Sequence, residues 1–342
     1  MEQFTEAEKQ LLLAAGWFSS RYGLMAGLDA GSAADRRNLA AFGRAWMGQF
    51  LVDWADAYRS LGAQGYLVEE GGAYSLTERG EAARKRLEVD APFWLYEYNN
   101  FFARAANSHA HAVFCARVYG QNLCQHGLAD LAQLDKLLAV LRLSASDRVL
   151  DLGCGSGLIT EYLHDLTGAA FVGVDISAEA IRQARTRTRA QSSRLAFSVG
   201  NMNRLAFSPR TFSAVVAIDT LYYVNDLAAT LKQVIEALKP GGQLGLFYTQ
   251  WINDLADEAK LRPENTELAV SLKKYGLQFT ALELTRQEAE HWQKKVDVLA
   301  ELKPEFAAEG NLDLYNYRYS EAARYASWDV RKRSRHLYHA RL

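Results

Sequence analysis

A glycine-rich turn follows a short apolar run near the middle of the chain. The run, residues 149–152, has the length of a buried strand and contains one carboxylate, Asp151. The turn that follows holds three alternating glycines, Gly153, Gly155 and Gly157. Because glycine has no Cβ, it allows backbone to approach a ligand closely where a strand turns into a helix. The pattern therefore predicts a ligand site at the end of this strand.

A second acid lies where a neighbouring strand would end. Asp175 closes the apolar run 171–175, about 20 residues after the turn, which is the spacing at which an acid accepts hydrogen bonds from ribose hydroxyls. Dinucleotide enzymes share this spacing, but their third glycine comes later, in the pattern G-x-G-x-x-G. A carboxylate at Asp151 would also repel a pyrophosphate and attract an ammonium group. The two acids together favour a nucleoside with a positively charged end.

These residues resemble the class I S-adenosylmethionine-dependent methyltransferases that act on small molecules. The likeness continues in order over roughly the C-terminal 60% of the chain. It implies an α/β fold with a Rossmann-like, mostly parallel sheet of seven strands, preceded by a mainly helical domain. It also implies S-adenosylmethionine as the cofactor, with Asp175 and the adjacent Ile176 at the ribose and Asp151 towards the methionine ammonium.

The later strands add further residues to the site that the resemblance implies. After the strand at residues 195–199, Asn201 and Met202 occupy the place beside adenine, where the family usually has an acid. An Asn carbonyl still accepts a hydrogen bond from the adenine amino group, so the role survives without the charge. Asp219, which ends the fourth strand, completes the predicted cofactor-binding set.

Two residues are predicted to be catalytic. Tyr222, the first candidate for a general base, follows the fourth strand, where this fold places groups near the transferred methyl, and its ring face can stabilise a sulfonium. His126 belongs to a segment with Tyr119 and Gly127 that, in similar enzymes, folds over the cofactor; a structural role for the histidine stays open. His109 and His111 are further candidate bases, wanted only for a hydroxyl or carbon acid acceptor.

Three functions are compatible with these residues. The first is in-line methyl transfer to a small-molecule acceptor, which releases S-adenosylhomocysteine. The second is a non-methylating reaction, in which the cofactor's own α-amine attacks its γ-carbon and gives azetidine-2-carboxylate and methylthioadenosine. The third is a regulator that senses the cofactor and binds DNA.

The chain divides into three predicted parts. Residues 1–90 resemble a winged-helix module for dimerisation, with a capping box at Thr5 and a strand pair around Gly71 and Gly72. A second helix start is predicted at Ser32. Residues 91–140 form a helical linker that closes over the cofactor. Residues 141–342 form the catalytic domain with a helical insertion at 285–330, whose four tyrosines line a pocket or pack on the core: Tyr315, Tyr317, Tyr319 and Tyr325.

Composition limits the remaining possibilities. The 342 residues carry a net charge of −1, and basic residues such as those at 331–335 read as solvated, so a nucleic acid substrate is disfavoured. No apolar run is long enough for a membrane span, and the first residues lack a secretion signal, which predicts a cytoplasmic protein. Three cysteines without metal-ligand spacing predict no metal site. The expected partners are a small-molecule substrate and a second copy of the chain.

Overall fold

The structure, a computed structural model, describes residues 3–22, 55–70, 73–90 and 92–342. The chain forms two compact units. The first contains the described residues up to Arg104 together with Asn311–Ser320, and the second contains Ala105–Gly310 and Glu321–Leu342. The domain boundaries predicted from the sequence stay predictions, since a compact unit need not coincide with a domain.

The first unit begins with a helix whose start the sequence predicts. In the capping box, the backbone N–H of Thr5 donates to the carboxylate of Glu8 at 2.8 Å, and the N–H of Glu8 donates to the Thr5 hydroxyl at 3.2 Å. The same carboxylate accepts from the Ser60 hydroxyl at 2.6 Å, which links the first two described helices. The described helices that begin before Arg104 in this unit are α1 Glu6–Tyr22, α2 Ala55–Ala63, α3 Glu78–Asp90 and α4 Phe93–Ala105.

The predicted hairpin is present in the first unit. Strands β1 (Leu67–Glu70) and β2 (Ala73–Leu76) pair antiparallel, as expected for residues on either side of Gly71 and Gly72. The winged-helix resemblance stays a prediction, because residues 23–54, which include the helix start predicted at Ser32, lie outside the described residues.

The second unit is built on a seven-stranded sheet. Its strand order is β5-β4-β3-β6-β7-β9-β8, and the neighbours from β5 to β7 pair in parallel while β9 runs antiparallel to β7 and β8. The strands are β3 Arg148–Leu152, β4 Ala170–Asp175, β5 Leu195–Val199, β6 Phe212–Ile218, β7 Leu238–Trp251, β8 Gln278–Glu283 and β9 Arg333–Arg341. This confirms the predicted α/β fold class. The strand order reverses between β3 and β6, which is where such sheets bind ligands.

Helices cover both faces of the sheet. The helices that begin in the second unit are α5 His109–Tyr119, α6 Leu131–Leu141, α7 Leu158–Thr167, α8 Ala178–Arg187, α9 Leu227–Ala237, α10 Glu267–Lys274 and α11 Thr285–Ala308, whereas α12 Leu312–Ala326 begins in the first unit and ends in the second. Neighbouring residues of β9 point to opposite faces: Leu337 packs in the core cluster that includes Phe171 and Phe247, and Tyr338 packs in the cluster that includes Leu246. A central sheet buried on both sides explains the nearly continuous apolar runs of its parallel strands.

The tyrosines of α12 fall into different surroundings. Tyr317 is buried in the first unit and donates its hydroxyl hydrogen to Glu97 at 2.5 Å. Tyr325, in the second unit, stacks on Trp292 with 4.7 Å between ring centroids. None of the described helices is both long and apolar enough to cross a bilayer.

Candidate functional site

The glycine turn after β3 is shaped by left-handed backbone and by close neighbours. Gly153 has a φ of +75°, and a Cβ added to it would lie 2.4 Å from the Cγ2 of Thr220. Gly157, with a φ of +76°, would place its Cβ 2.7 Å from the Phe197 ring. A side chain at either position is therefore excluded by backbone conformation and by space. The predicted role of these glycines, to let backbone approach a ligand closely, depends on this narrow turn.

Asp175 is held in place at the carboxyl end of β4. Its two oxygens accept separate backbone hydrogen bonds, from Gly155 N and from Ser177 N, each at 2.8 Å. Burial raises the pKa of the carboxyl, and the backbone hydrogen bonds oppose this effect. Each carboxylate oxygen has more than one acceptor direction, so the two backbone bonds orient the group without saturating it. Ile176, the next residue, is half-buried.

Asp151 lies on β3 beside β4, where it pairs in register with Gly173. The hydroxyl of Thr160 on α7 donates to it at 2.6 Å. Burial raises the pKa of Asp151 to about 7, and the negative charge of Asp175 contributes in the same direction. A cation near these two acids would favour the charged form of both.

The residues after β5 form a turn of side-chain amides. The Asn201 carbonyl oxygen accepts from the backbone N–H and from the side-chain amide of Asn203, both at 2.9 Å. Met202 is half-buried and packs against the core beside β3 and β4. The predicted adenine residues thus stand at the same sheet edge as Asp175, because Val199 pairs with it in register.

Asp219 makes structural contacts that were not predicted from the sequence. Its φ is +59°, which is uncommon for a residue other than glycine. Its Oδ2 accepts from the backbone N–H of Leu128 at 2.8 Å, and a Cβ on Gly127 would lie 2.9 Å from the same oxygen. The carboxylate also forms an ion pair with Arg335, in which both side chains are fully buried. Its predicted contact with the cofactor stays a prediction.

The structure brings three of the predicted residues together. The Tyr119 hydroxyl donates to the backbone carbonyl of Gly127 at 2.9 Å, and Asp219 holds the next residue through Leu128 N. The buried ammonium of Lys295 donates to the same Gly127 carbonyl at 3.1 Å. His126 is half-buried in this segment, whereas His111 is buried in α5 against Cys115. The segment predicted to cover the cofactor is thus tied to the sheet edge.

Tyr222 stands among aromatic side chains just after β6. Its ring lies 5.2 Å from that of Trp251 and 6.5 Å from that of Tyr248, measured between centroids. Burial raises the pKa of the Tyr222 hydroxyl well above its ordinary value, with further contributions from Tyr223 and Asp219. The hydroxyl therefore keeps its proton at neutral pH. It can donate a hydrogen bond, or its ring can face a cation.

The interpretation of residues 331–335 as a solvated basic run is wrong for two of them. Arg333 and Arg335 are 3% and 0% exposed, because β9 lies between β7 and β8 and both residues point to the same covered face. Arg331 is exposed. Carboxylates from distant parts of the chain compensate the two buried charges, Asp219 for Arg335 and Glu288 for Arg333. The alternation of arginines at strand spacing was the available signal.

A family model described as "Methyltransferase domain" matches residues 149–242. The methyltransferase phqN of Penicillium fellutanum is 29% identical over 140 residues, which are 40% of this chain and 41% of that protein. The ubiquinone biosynthesis O-methyltransferase of Xanthomonas campestris pv. campestris (strain B100) is 35% identical over 115 residues, which are 33% of this chain and 47% of that protein. The chain thus matches less than half the length of either relative.

The fold also has solved counterparts. The structure of Haemonchus contortus phospholethanolamine N-methyltransferase 2, in complex with phosphomonomethylethanolamine and S-adenosylhomocysteine, is similar with a TM-score of 0.56 and 18% identity. The likeness covers 72% of this chain and 60% of that chain, and at this identity it shows the fold alone. The matched domain, residues 149–242, includes the strand, the glycine turn and both acids described above, and this match supports a class I S-adenosylmethionine-dependent methyltransferase domain in this part of the chain.

Proposed function

We propose that the protein binds S-adenosylmethionine at the carboxyl edge of β3, β4 and β5 and transfers its methyl group to a small-molecule acceptor. One observation carries the proposal. The Asp175 carboxylate is oriented by two backbone N–H groups beside a glycine turn in which an added Cβ at Gly153 would collide with Thr220. An oriented acid next to bare backbone suits a ribose diol and its nucleoside.

The two acidic residues, Asp151 and Asp175, fit the positive charge of the cofactor, as the glycine turn fits its shape. S-adenosylmethionine carries a sulfonium and an ammonium group, and two buried acids lie on the adjacent strands β3 and β4. The pKa of Asp151, raised to about 7 by burial, belongs to a carboxyl that has no cationic partner among the described residues. A positively charged ligand supplies that partner and stabilises the charged form.

Catalysis in this proposal depends on position more than on an activated side chain. Bound S-adenosylmethionine supplies an electrophilic methyl group on a positively charged sulfur. The chain's part is to hold donor and acceptor in line and to exclude water, which lowers the barrier through orientation. Tyr222, whose hydroxyl stays protonated, orients the acceptor by donating a hydrogen bond or faces the cation with its ring.

A small acceptor is supported by aromatic side chains where β6 and β7 end, because the Tyr222 ring lies near those of both Tyr248 and Trp251. Such rings suit an apolar or planar molecule of pocket size. The names of the relatives include an O-methyltransferase and an N-methyltransferase, so they do not select the accepting atom. We propose a homodimer as the working assembly, with residues 1–90 as its contact.

Two measurements test the proposal. The first is isothermal titration of S-adenosylmethionine and S-adenosylhomocysteine into wild type and Asp175→Ala; we expect loss of binding in the variant. Asp165→Ala, an exposed acid on α7, is the matched control and should bind as wild type does. If Asp175→Ala binds S-adenosylmethionine and S-adenosylhomocysteine as tightly as wild type does, the proposed cofactor site is wrong.

The second measurement separates methyl transfer from the other two functions. The protein is incubated with S-adenosylmethionine, with and without a panel of small acceptors, and the nucleoside product is identified by mass spectrometry. S-adenosylhomocysteine that forms only with an added acceptor supports methyl transfer. Methylthioadenosine formed without any acceptor supports the intramolecular reaction instead, and tight binding without turnover, combined with a DNA mobility shift, supports a regulator.

A further inference from the structure

Two nitrogen donors meet at the carboxyl edge of the sheet. Trp251 ends β7 and Arg333 begins β9, and the two residues are direct partners across the antiparallel pair. Side chains of such partners lie on the same face, about 5 Å apart at their Cβ atoms. The edge is the one at which the parallel strands end, so these donors lie at the same edge as Tyr222.

Neither donor is satisfied in the described part of the chain. The indole Nε1 of Trp251 and the Nε of Arg333 are buried, and no hydrogen-bond partner is found for either among the described residues. A buried donor without a partner costs about 1–3 kcal/mol. Indole and guanidinium N–H groups donate only, so both ask for an acceptor oxygen.

The positive charge of Arg333 is less well matched than that of its neighbour. Arg335 makes two contacts of 2.7 Å from Nη2 to the two oxygens of Asp219. The Nε of Arg333 lies 3.4 Å from Glu288 without a hydrogen bond, and that carboxylate already accepts from Trp292 at 3.1 Å. Burial also raises the pKa of Glu288, an effect that the charges of Arg335 and Arg333 oppose. An anionic oxygen would complete the surroundings of Arg333.

Aromatic rings stand around this pair of donors. The Trp251 ring meets the Tyr222 ring at an interplanar angle of 77°. The backbone carbonyl of Tyr325 accepts from Arg333 Nη1 at 2.8 Å, and the Tyr325 ring stacks on Trp292. Flat rings beside a cationic donor favour a planar ligand with a charged end.

We propose that Trp251 and Arg333 form an acceptor subsite, which binds the carboxylate of an aromatic acid beside Tyr222. The inference rests on the proposed function, because it places the acceptor next to the residue assigned to methyl transfer. It deepens that function by naming the substrate class. The guanidinium of Arg333 binds one carboxylate oxygen, and the indole N–H of Trp251 donates to the same oxygen or to the second one. The ring of the acceptor lies beside the rings of Tyr222 and Tyr325.

The test uses the full chain saturated with S-adenosylhomocysteine and two probes, benzoate and its neutral analogue benzamide, measured by isothermal titration. We expect benzoate to bind about tenfold more tightly than benzamide, since hydrogen bonds to a charged group are the stronger ones. Arg333→Gln should remove the preference. Trp251→Phe keeps a ring and removes the donor, and should weaken benzoate about tenfold. Arg331→Gln, an exposed arginine two residues away, is the control without effect.

Several outcomes overturn the subsite. They are equal affinity of wild type for the two probes, no binding of benzoate, and a Trp251→Phe variant that binds benzoate as wild type does. Each is decided with S-adenosylhomocysteine bound, which separates failure of the subsite from failure of the proposed function. Loss of S-adenosylhomocysteine binding by wild type is the result that refutes the function itself. If Arg333→Gln does not fold, Trp251→Phe still decides the matter, since it leaves the ion pair with Glu288 intact.

Discussion

Asp219 and Arg335, 116 positions apart, form a buried pair in which one guanidinium nitrogen contacts both carboxylate oxygens at 2.7 Å. Arg335 also donates to Gln133 at 2.7 Å, and Asp219 accepts from Leu128 N. The last strand, α6 and the segment before it are thus joined at one residue after β6. A pair buried this deeply is costly to break, because removal of one partner leaves an uncompensated charge.

Arg335→Met should therefore destabilise the second unit strongly. We expect the free energy of unfolding to fall by about 3–5 kcal/mol, the usual effect of leaving one member of a buried pair. Arg286→Met, which breaks an exposed pair with Glu290, should change it by less than about 0.5 kcal/mol. Urea unfolding followed by circular dichroism measures both. If the two variants lose equal stability, the buried pair Asp219–Arg335 contributes no more to the free energy of unfolding than the exposed pair does.

Gly153→Ala should damage cofactor binding more than backbone strain alone explains. Gly241 has a φ of +74°, close to that of Gly153, but no described residue lies within 4 Å of a Cβ added there. Both alanine variants bear a left-handed penalty of about 1–2 kcal/mol, and only Gly153→Ala meets Thr220. We expect Gly241→Ala to bind S-adenosylhomocysteine as wild type does and Gly153→Ala to bind it at least tenfold more weakly, roughly. Similar affinities for the two variants would mean that the lack of space beside Gly153 does not matter for cofactor binding.

The raised pKa of Asp151 predicts a pH-dependent stability. The carboxyl has an ordinary pKa of 3.8 and a folded value of about 7, so between these values the folded chain holds a proton that the unfolded chain has lost. Wild-type stability contributed by this group therefore falls as the pH rises from about 4 to about 7. Asp151→Asn lacks this loss, so its unfolding free energy should rise relative to wild type by up to about 4 kcal/mol across that range.

The difference between wild type and Asp151→Asn is obtained from urea unfolding at several pH values. Asp165→Asn, the exposed acid on α7, serves as the control and should show no such trend relative to wild type. A difference that stays constant with pH would mean that Asp151 titrates at its ordinary value.

Binding of a cation beside the same carboxyl should release its proton. Near pH 6 the ligand-free Asp151 is mostly protonated, given its pKa of about 7, and a bound ammonium favours the charged form. Titration of S-adenosylmethionine in two buffers of different ionisation enthalpy should report up to about one released proton at this pH and none well above pH 8. Asp151→Asn should release none at either pH. The same release from the variant would assign the proton to another group.

Tyr222→Phe tests whether the hydroxyl takes part in the chemistry. The variant should keep the affinity for S-adenosylhomocysteine within about twofold and reduce kcat by roughly tenfold to a hundredfold, since one hydrogen bond is lost at the reacting end. Because burial raises the pKa of Tyr222, wild-type activity should show no limb due to phenolate at neutral pH. Tyr275→Phe, whose hydroxyl donates to Ala228, is the control. Unchanged turnover would remove Tyr222 from the site.

Local patterns predicted much of this fold. The capping box at Thr5 and the strand that ends in Asp175 each depend on residues close together in sequence, and both are present. The mostly parallel sheet of seven strands was instead implied by the family resemblance. The capping box and the strand are each encoded within a few residues, so one sequence is enough to read them.

Buried charge was not readable in the same way. Arg335 lies in a run with Arg331, Lys332 and Arg333, and such a run normally indicates a solvated face. Arg335 is buried because β9 lies between β7 and β8. Its charge is compensated by Asp219, which follows β6. No local spacing encodes a partner so distant. The raised pKa of Tyr222 depends likewise on burial, which tertiary packing decides.

The carbonyl of Gly127 receives hydrogen bonds from Tyr119 and from Lys295, and the next N–H goes to Asp219. During synthesis on a ribosome, Tyr119 emerges first, Lys295 later, and Arg335, the partner of Asp219, after both. The nascent chain can thus assemble β3 to β7 well before the edge around Gly127 has all its anchors. We therefore expect a translation intermediate that ends before Lys295 to be cleaved by proteases around Gly127 before it is cleaved within β3 to β7.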